Sequence, residues 1–323
     1  MMKATIVREF GDADKLVYEE TSIPEPGEGE VRIKVVATGL NFTDIYQRKG
    51  LYPNPLPLIL GNEFSGIIDA LGDGVNDFQI GDRVGTANGI GGYAEYAIAP
   101  ISRLIHLPDD ISFELSAALL LQGITAHYLA TSTFALKPGD TALIHAAAGG
   151  VGQLLVQIAK MKAVNIIATV SDEEKAEIAI KLGANSVILY TQCDFEAEVK
   201  KITAGFGVDV VYDGVGQATF MKGLECLKPR GLMVLYGQAS GPVAPFDPQI
   251  LNKKGSLYLT RPTINHYLLS RSEVVQRSND LFNWVRAEKL KVRIDQTFSL
   301  REAKLAHEYM ESRSTKGKVL IIP

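Results

Sequence analysis

The chain has 323 residues, more than one hydrophobic core usually serves, so its length predicts two domains and excludes a minimal single-motif module. Hydrophobic residues make up 46% and charged residues 22%, which is the balance of a soluble globular protein and excludes a disordered or collagen-like chain. The net charge is −4, from 33 Lys and Arg against 37 Asp and Glu, so no basic excess favours a nucleic-acid partner.

Cysteine content and hydrophobic run lengths narrow the class further. The two cysteines, Cys193 and Cys226, are fewer than the four that a structural zinc site usually needs, and a disulfide-stapled secreted domain is equally disfavoured. The first residues lack the apolar core and cleavage site of a signal peptide, and the longest apolar windows are well short of the roughly 18 residues of a membrane span. We therefore expect a cytoplasmic protein without membrane segments.

Residues up to about 105 have the pattern of short strands separated by Gly, Pro and Asp. In the run Glu30–Val36 apolar side chains alternate before its end, as in a strand with one buried face. Closely spaced glycines between Gly61 and Val84 are typical of tight turns and barrel corners. This region is predicted to be mainly β, with an irregular, partly closed antiparallel sheet.

From Thr141 the pattern changes to apolar runs separated by helical segments, which is typical of βαβ units and a parallel sheet. The predicted strands are Thr141–His145, Asn165–Val170, Ser186–Leu189, Asp209–Asp213 and Gly231–Tyr236. Two helical stretches follow, about Ser272–Glu288 and Leu300–Ser312. The apolar tail Val319–Ile322 is predicted to return to the first domain as an edge or closing strand.

A glycine-rich segment, AAAGGVG over residues 146–152, stands between the first of these strands and a helical run. In the pattern G-x-G-x-x-G, Ala147 takes the first position, and Gly149 and Gly152 take the others. Without Cβ atoms the backbone can approach a pyrophosphate, whose charge is stabilised by free N–H groups at the helix N-terminus. The segment therefore predicts a dinucleotide site.

The end of the second strand decides between NADH and NADPH. An acidic side chain there would bind the ribose 2′-hydroxyl of NADH, and Asp172 is a candidate for that role. The carboxylates also have a structural explanation, since Ser171 with Glu174 forms a capping-box sequence. Lys175 and Tyr190 suit a 2′-phosphate instead. We favour NADPH, with Asp172 as the feature that keeps NADH open.

Four segments together resemble a known family: HAAAGGVG, NFTDIYQRKGLYP, VVYDGVG and GSLYLTRPT. Over essentially the whole chain they are similar to the quinone oxidoreductases, the zeta-crystallin-like branch of the medium-chain dehydrogenase/reductase superfamily. The resemblance implies an α/β fold, with a GroES-like, mainly β catalytic domain from residues 1–123 and 264–323. It further implies a doubly wound Rossmann domain over residues 124–263, NADPH as cofactor, and a homodimer.

The resemblance also implies which residues bind the cofactor. The nicotinamide end would contact Asn41, Thr125 and the segment Phe42, Thr43, Asp44, Ile45 and Tyr46. The pyrophosphate would lie on Gly149, Gly150, Val151 and Gly152, and the 2′-phosphate on Ser171, Lys175 and Tyr190. The rest of the groove would be lined by Val215, Tyr236, Gly237, Gln238, Ala239, Arg261, Pro262 and Thr263.

Zinc alcohol dehydrogenases resemble the chain as well, but they carry Cys at the position of Asn41 and His at that of Asn62. An Asn amide is a poor zinc ligand, and the carboxylates of Asp44 and Glu63 alone do not hold a catalytic zinc. We therefore expect no metal at this site.

These features predict a zinc-independent enzyme that transfers hydride from NADPH to a quinone or a related conjugated carbonyl. The candidate catalytic residues are Asn41, Tyr46 and Tyr52, whose aromatic faces or polar groups would meet a flat substrate. An enoyl-thioester or alkenal reductase stays open, because Tyr46 or Tyr52 could protonate the carbon opposite hydride addition. A crystallin-like or RNA-binding protein without activity is the alternative of another class. His145 and the cysteines are interpreted as structural residues.

Overall fold

Residues 1–52 and 54–323 are described by a computed structural model, in which the backbone divides into two units. Unit 1 consists of Met1–Ile124, Leu268–Arg286 and Val292–Pro323, and unit 2 of Thr125–Tyr267 and Ala287–Lys291. In the described chain, no helix combines the length and the apolar character needed to cross a bilayer.

Unit 1 contains most of the antiparallel strands. The strands of its N-terminal segment are β1 Met2–Val7, β2 Leu16–Thr21, β3 Glu30–Leu40, β4 Leu58–Ile59, β5 Glu63–Leu71, β6 Arg83–Thr86, β7 Tyr96–Pro100 and β8 Ile105–His106. The helices here are α1 Phe42–Arg48 and α2 Phe113–Tyr128, the latter running on into unit 2 and followed by a π-helical turn, Leu129–Thr133. Short 3-10 turns occupy Ala13–Lys15 and Ile101–Arg103.

The C-terminal part of unit 1 has four further elements. These are α8 Arg271–Arg286, β15 Ile294–Ser299, α9 Ala303–Glu311 with a 3-10 turn over Leu300–Glu302 before it, and β16 Lys318–Ile322.

Two sheets form in unit 1, and the predicted mainly β character of this region is confirmed. One sheet has the order β2-β1-β4, and the other has the order β15-β16-β3-β5-β6-β8, with β7 also paired to β3. The alternating Val31, Ile33 and Val35 of β3 are buried against Phe64 and Ile68 of β5. Burial of these apolar side chains explains why the alternating sequence forms a strand with one core face.

The tail forms β16 and returns to the first domain, as predicted; of the two places predicted for it, an edge or a closing strand, the edge is wrong. It lies between β3, to which it is antiparallel, and β15, to which it is parallel. Four of the six residues of β15, IDQTFS, are polar, and the strand is mostly exposed, so its apolar periodicity is too weak to reveal a strand that covers the outer side of β16.

Unit 2 is built on a six-stranded parallel sheet, and the prediction of a doubly wound fold is confirmed. Its strands are β9 Thr141–His145, β10 Asn165–Val170, β11 Ser186–Leu189, β12 Val208–Asp213, β13 Leu227–Leu235 and β14 Tyr258–Thr260. Its helices are α3 Gly150–Met161, α4 Glu173–Leu182, α5 Phe195–Ile202, α6 Phe220–Glu225 and α7 Gln249–Lys253, with a 3-10 turn at Ile264–Tyr267. The order is β11-β10-β9-β12-β13-β14, which is the strand arrangement of dinucleotide-binding folds.

Candidate active site

The glycine-rich loop of unit 2 joins β9 to α3. Gly149 is the N-cap residue of α3. The N–H groups of Gly150, Val151 and Gly152 lie in the first turn, where the helix itself provides no acceptor. A Cβ on Gly152 would lie 2.3 Å from the carbonyl oxygen of Ala146, so only glycine allows the helix to pack this closely on the loop. Free donors at the positive end of a helix fit a diphosphate.

The predicted cofactor residues of unit 2 gather along one edge of its sheet. All six strands are parallel, so their carboxyl ends share an edge, which is where ligands bind in such folds. The predicted residues directly follow these ends: Ser171 after β10, Tyr190 after β11, Val215 near β12, Tyr236–Ala239 after β13 and Arg261–Thr263 after β14. Thr125 lies in α2 and follows no strand.

Asp213, which the sequence interpretation did not select, fixes the loop after β12. Its buried carboxylate accepts hydrogen bonds from the backbone N–H groups of Val215 at 2.7 Å and Gly216 at 2.9 Å, and from the hydroxyl of Thr219 at 2.8 Å. Its position as the last residue of an apolar strand was the available signal. A buried carboxylate bonded to consecutive amides holds the loop at a defined distance from the sheet edge.

The start of α4 differs from the predicted capping box. The N-cap residue is Asp172, whose Oδ1 accepts from the backbone N–H of Lys175 at 2.9 Å. Ser171 lies outside the helix, and its hydroxyl donates to Asp172 Oδ2 at 2.7 Å. The capping-box interpretation of Ser171 with Glu174 is therefore wrong by one residue, because Asp caps a helix as well as Ser does.

This arrangement also bears on cofactor choice. The Lys175 ammonium lies 3.0 Å from the Ser171 hydroxyl and 3.6 Å from Asp172 Oδ2. The pKa of Asp172 is lowered by its bond from the Lys175 backbone amide and by the Ser171 hydroxyl, so the carboxylate is already satisfied within the loop. A cation and a hydroxyl side by side fit a phosphate monoester, with Tyr190 exposed after the neighbouring strand.

In unit 1 a buried polar network surrounds the segment predicted to meet the nicotinamide. Asp44 accepts from the backbone N–H of Asn41 at 2.8 Å and from the Asn62 side chain at 2.6 Å. Asn62 also donates to Gln47 Oε1 at 2.7 Å. Burial raises the pKa of Asp44 to about 6, against the opposing effect of these hydrogen bonds. The side chains of Asp44 and Asn62 thus hold α1 against the start of β5.

A buried ion pair adjoins this network, and the sequence interpretation did not identify its cation. Lys318 Nζ lies 2.5 Å from Glu63 Oε2 and 2.8 Å from Asn41 Oδ1. Gln122 donates to the same Asn41 oxygen at 3.2 Å. Burial lowers the pKa of Lys318 and raises that of Glu63, and each charge counteracts the effect on the other. Lys318 is 277 positions from Asn41, so no local motif could have linked them.

The aromatic residues of this segment lie together. The rings of Tyr46 and Tyr52 meet edge to face with centroids 5.2 Å apart, and Phe42 is 6.0 Å from Tyr46. Tyr46 is mostly buried, whereas Tyr52 is half-buried. Ile45 points into the hydrophobic core beside Val7 and Leu40. The structure therefore brings both candidate catalytic tyrosines into contact with each other, Tyr46 from α1 and Tyr52 from the segment that follows this helix.

Three further titratable groups, His307, His145 and Cys226, are buried. Arg48 donates to His307 Nδ1 at 3.0 Å, which places the ring proton on Nε2, facing the Tyr93 hydroxyl at 3.0 Å. Burial lowers the pKa of His307 well below its usual value. His145 bonds to Thr169 at 2.9 Å in the core. Burial raises the pKa of Cys226 to about 12, as in an unreactive thiol.

Comparison with known families gives the class. Residues 27–109 match the family model described as alcohol dehydrogenase GroES-like domain, and residues 150–284 match the one described as zinc-binding dehydrogenase. The first match covers antiparallel strands of unit 1, and the second begins at α3 of unit 2. They define a two-part dehydrogenase of the GroES-like and Rossmann type, as the sequence predicted.

Individual relatives identify the branch. Quinone oxidoreductase 1 of Escherichia coli K12 is 42% identical over 97% of this chain and 97% of its own. The 2-haloacrylate reductase of a Burkholderia species is 42% identical over 100% of this chain and 99% of its own. The structure of the E. coli quinone oxidoreductase complexed with NADPH superposes with a TM-score of 0.97 at 41% identity, covering 99% of this chain and 100% of that one. The chain belongs to the quinone oxidoreductases of the medium-chain dehydrogenase/reductase superfamily, which confirms the predicted resemblance.

The donor set in unit 1 does not fit the zinc that the second family description implies. Asn41, Asn62 and Gln122 offer carboxamides, and the Lys318 ammonium already occupies the hydrogen-bonding positions of Asn41 Oδ1 and Glu63 Oε2. Zinc prefers thiolate, imidazole and carboxylate ligands and is repelled by a fixed cation. Among residues 1–52 and 54–323, no group of three or more His, Cys, Asp and Glu is placed to hold a metal ion.

Proposed function

We propose that this protein is a zinc-independent NADPH:quinone oxidoreductase. The proposal depends on two features that occur in the same chain. Unit 2 has a phosphate-binding loop and the Lys175–Ser171 site, and unit 1 has a cluster of carboxamides that does not suit a metal ion. The names of the E. coli relative and of its NADPH complex support the same activity. NADPH, when bound, supplies a hydride.

The chain's own residues bind the cofactor and orient it. The diphosphate is assigned to Gly149–Gly152, and the 2′-phosphate to Ser171, Lys175 and Tyr190. The remaining contacts are assigned to Thr125, Val215, Tyr236–Ala239, Arg261–Thr263 and, in unit 1, Asn41 and Phe42–Tyr46. An electron-poor quinone needs little Lewis-acid activation, and its oxyanion takes a proton from solvent, so binding and exclusion of water are the main contributions of the protein.

A carbon-carbon double-bond reductase is the second candidate, favoured by the edge-to-face Tyr46–Tyr52 pair and by the 2-haloacrylate reductase relative. The two functions differ in whether a side chain must protonate carbon. Purified protein is assayed for NADPH oxidation with quinones, enals, enoyl thioesters and haloacrylates, together with Tyr46→Phe and Tyr52→Phe. Tyr18→Phe, on a half-exposed strand position, is the matched control.

For a quinone reductase, both variants keep turnover of a small quinone within about tenfold, because only packing and one hydroxyl bond change. General acid catalysis contributes about 10²- to 10⁴-fold. A loss of that size in either variant, with NADPH affinity intact and enones preferred, assigns the double-bond reductase instead. Tight NADPH binding with no acceptor reduced would favour the non-enzymatic alternative.

We also propose that the protein is a homodimer joined through β14. This strand ends the order of the parallel sheet, pairs with β13 on one side, and carries Tyr258 with 62% of its surface exposed. An edge strand with an exposed aromatic side chain is a template for pairing with a second copy. Light scattering of the purified protein should give twice the mass of one chain, and the Tyr258→Arg variant should give the mass of a single chain.

A cytoplasmic location is proposed on the state of the cysteines. Cys193 is exposed and unpaired, and Cys226 is buried and unpaired. Free thiols of this kind persist in a reducing compartment. Fractionation of the source cells with antibody detection tests this location, and recovery in a secreted or membrane fraction would contradict it.

A further inference from the structure

The ion pair between Lys318 and Glu63 is completely enclosed. The Lys318 side chain is 1% exposed and that of Glu63 is 0% exposed. The second carboxylate oxygen of Glu63 accepts from the backbone N–H of Leu121 at 2.7 Å. A buried ion pair of this kind contributes little net stability compared with apolar residues of similar volume. Stability alone therefore does not account for this pair.

The pair sets the direction of the hydrogen bonds made by the Asn41 carboxamide. An ammonium group only donates, so the Asn41 oxygen must face Lys318. The Asn41 nitrogen then donates to Glu63 Oε2 and to the carbonyl oxygen of Gly39, each at 3.0 Å. The Asn41 oxygen also accepts from Gln122, so the nitrogen of that carboxamide faces Asn41 and its oxygen faces away. One fixed charge pair thus sets the orientation of two amides.

We propose that Lys318 is a positioning residue: its ammonium, acting with Glu63, locks the carboxamides of Asn41 and Gln122 in the orientation needed for hydride transfer. The proposal rests on the proposed function, because Asn41 is assigned there to the nicotinamide end. Asn41 is also the N-cap of α1, which carries Phe42 to Tyr46. The locked carboxamide therefore directly precedes this segment in the chain.

The first test uses unmodified protein without cofactor, labelled with ¹⁵N in the side-chain amides of Asn and Gln. The Asn41 signal is assigned by its loss in Asn41→Asp. Both Asn41 amide protons are bonded and enclosed, so they should exchange with solvent at least a hundredfold more slowly than those of an exposed amide. Exchange at the rate of an exposed amide would mean that the orientation is not locked, and would overturn the proposal.

The second test separates positioning from stability. Lys318→Met leaves Glu63 uncompensated and is expected to lower the melting temperature, whereas Lys318→Met combined with Glu63→Gln removes both charges and should fold. In the double variant we expect kcat for quinone reduction to fall at least tenfold, with KM for NADPH changed less than threefold, since the phosphate-binding residues are untouched. The deuterium isotope effect with 4-deuterated NADPH should rise as hydride transfer becomes slower. Faster Asn41 amide exchange should accompany the loss.

Arg32→Met with Asp69→Asn is the matched control. This half-buried pair joins the same strands, β3 and β5, at 3.0 Å and does not contact the amides. A Lys318/Glu63 double variant that folds and keeps kcat within threefold of the starting protein and Asn41 exchange unchanged would show that the pair is only structural. If both Lys318 variants fail to fold, the exchange result on unmodified protein decides. Absence of turnover in the starting protein would instead refute the proposed function, and the exchange test would still apply to Lys318.

Discussion

Replacing Lys175 by Met tests whether the loop after β10 selects a phosphorylated cofactor. The Lys175 side chain is 13% exposed, and its ammonium lies 3.0 Å from the Ser171 hydroxyl. A phosphate bound there would therefore receive a charge-assisted hydrogen bond from a largely desolvated donor. Such bonds contribute about 1.5 to 3 kcal/mol. Asp172, at 3.6 Å, already neutralises part of the charge, so we take the lower value of about 1.5 kcal/mol, or roughly a tenfold change in Kd.

Calorimetric titration of the starting protein and the variant with NADPH and NADH measures this directly. We expect about tenfold weaker NADPH binding and less than a twofold change for NADH, which has no phosphate at that position. Lys181→Met is the control, because Lys181 lies on the same helix in an exposed pair with Glu177. Asp172→Asn, which keeps a capping side chain, should strengthen NADPH binding. Equal losses of both cofactors, or a preference of the starting protein for NADH, would refute the reasoning.

Three further outcomes follow from the structure. Gly152→Ala should lower the free energy of unfolding, measured in urea, by about 2 kcal/mol, because the added Cβ would lie 2.3 Å from a backbone atom. Gly149→Ala should lower it less, since the nearest atom to its Cβ is at 3.2 Å, and equal effects would contradict the packing explanation. Chelator treatment should leave turnover unchanged and elemental analysis should find no stoichiometric zinc, since the amide cluster and Lys318 disfavour a metal ion; zinc whose removal abolishes turnover would contradict this. His307 has a pKa well below its usual value, so the unfolded chain binds the extra proton and stability is lost as pH falls below about 6.5, by at most roughly 1.4 kcal/mol per pH unit. His307→Gln can accept from Arg48 and donate to Tyr93, and should reduce that slope in urea titrations between pH 7 and 5; an unchanged slope would assign the dependence to another group.

The sequence predicted most of unit 2 because its signals are local. Strands β9, β10 and β11 have the predicted bounds, since a buried parallel strand is a continuous apolar run and the turns between them carry Gly or polar residues. The glycines of the phosphate loop were found for the same reason. The choice between Ser171 and Asp172 as N-cap was wrong because adjacent residues with equal capping ability leave the helix start ambiguous.

Unit 1 depends on pairings between distant residues, and there prediction stopped earlier. β15 was missed because a polar edge strand has little periodicity, and its presence moves β16 from the edge to the interior of the sheet. Lys318 looks like an ordinary lysine before a strand until β16 pairs with β3 and brings it to Glu63. Gln122 and Asp213 likewise gain their meaning from the groups that surround them. The residue assignments of the candidate site as a whole stay predictions.

The interior position of β16 has a consequence for synthesis on the ribosome. Asn41 and Lys318 are 277 residues apart, so at about 5 to 20 residues per second the β3 strand emerges roughly 14 to 55 s before the strand that completes it. All of the parallel sheet is translated within that interval and can fold first. During the wait the Glu63 carboxylate has no counter-ion, and one side of β3 is open to pairing with another nascent chain. The last strand to be made thus closes an exposed edge and neutralises a buried charge in a single step.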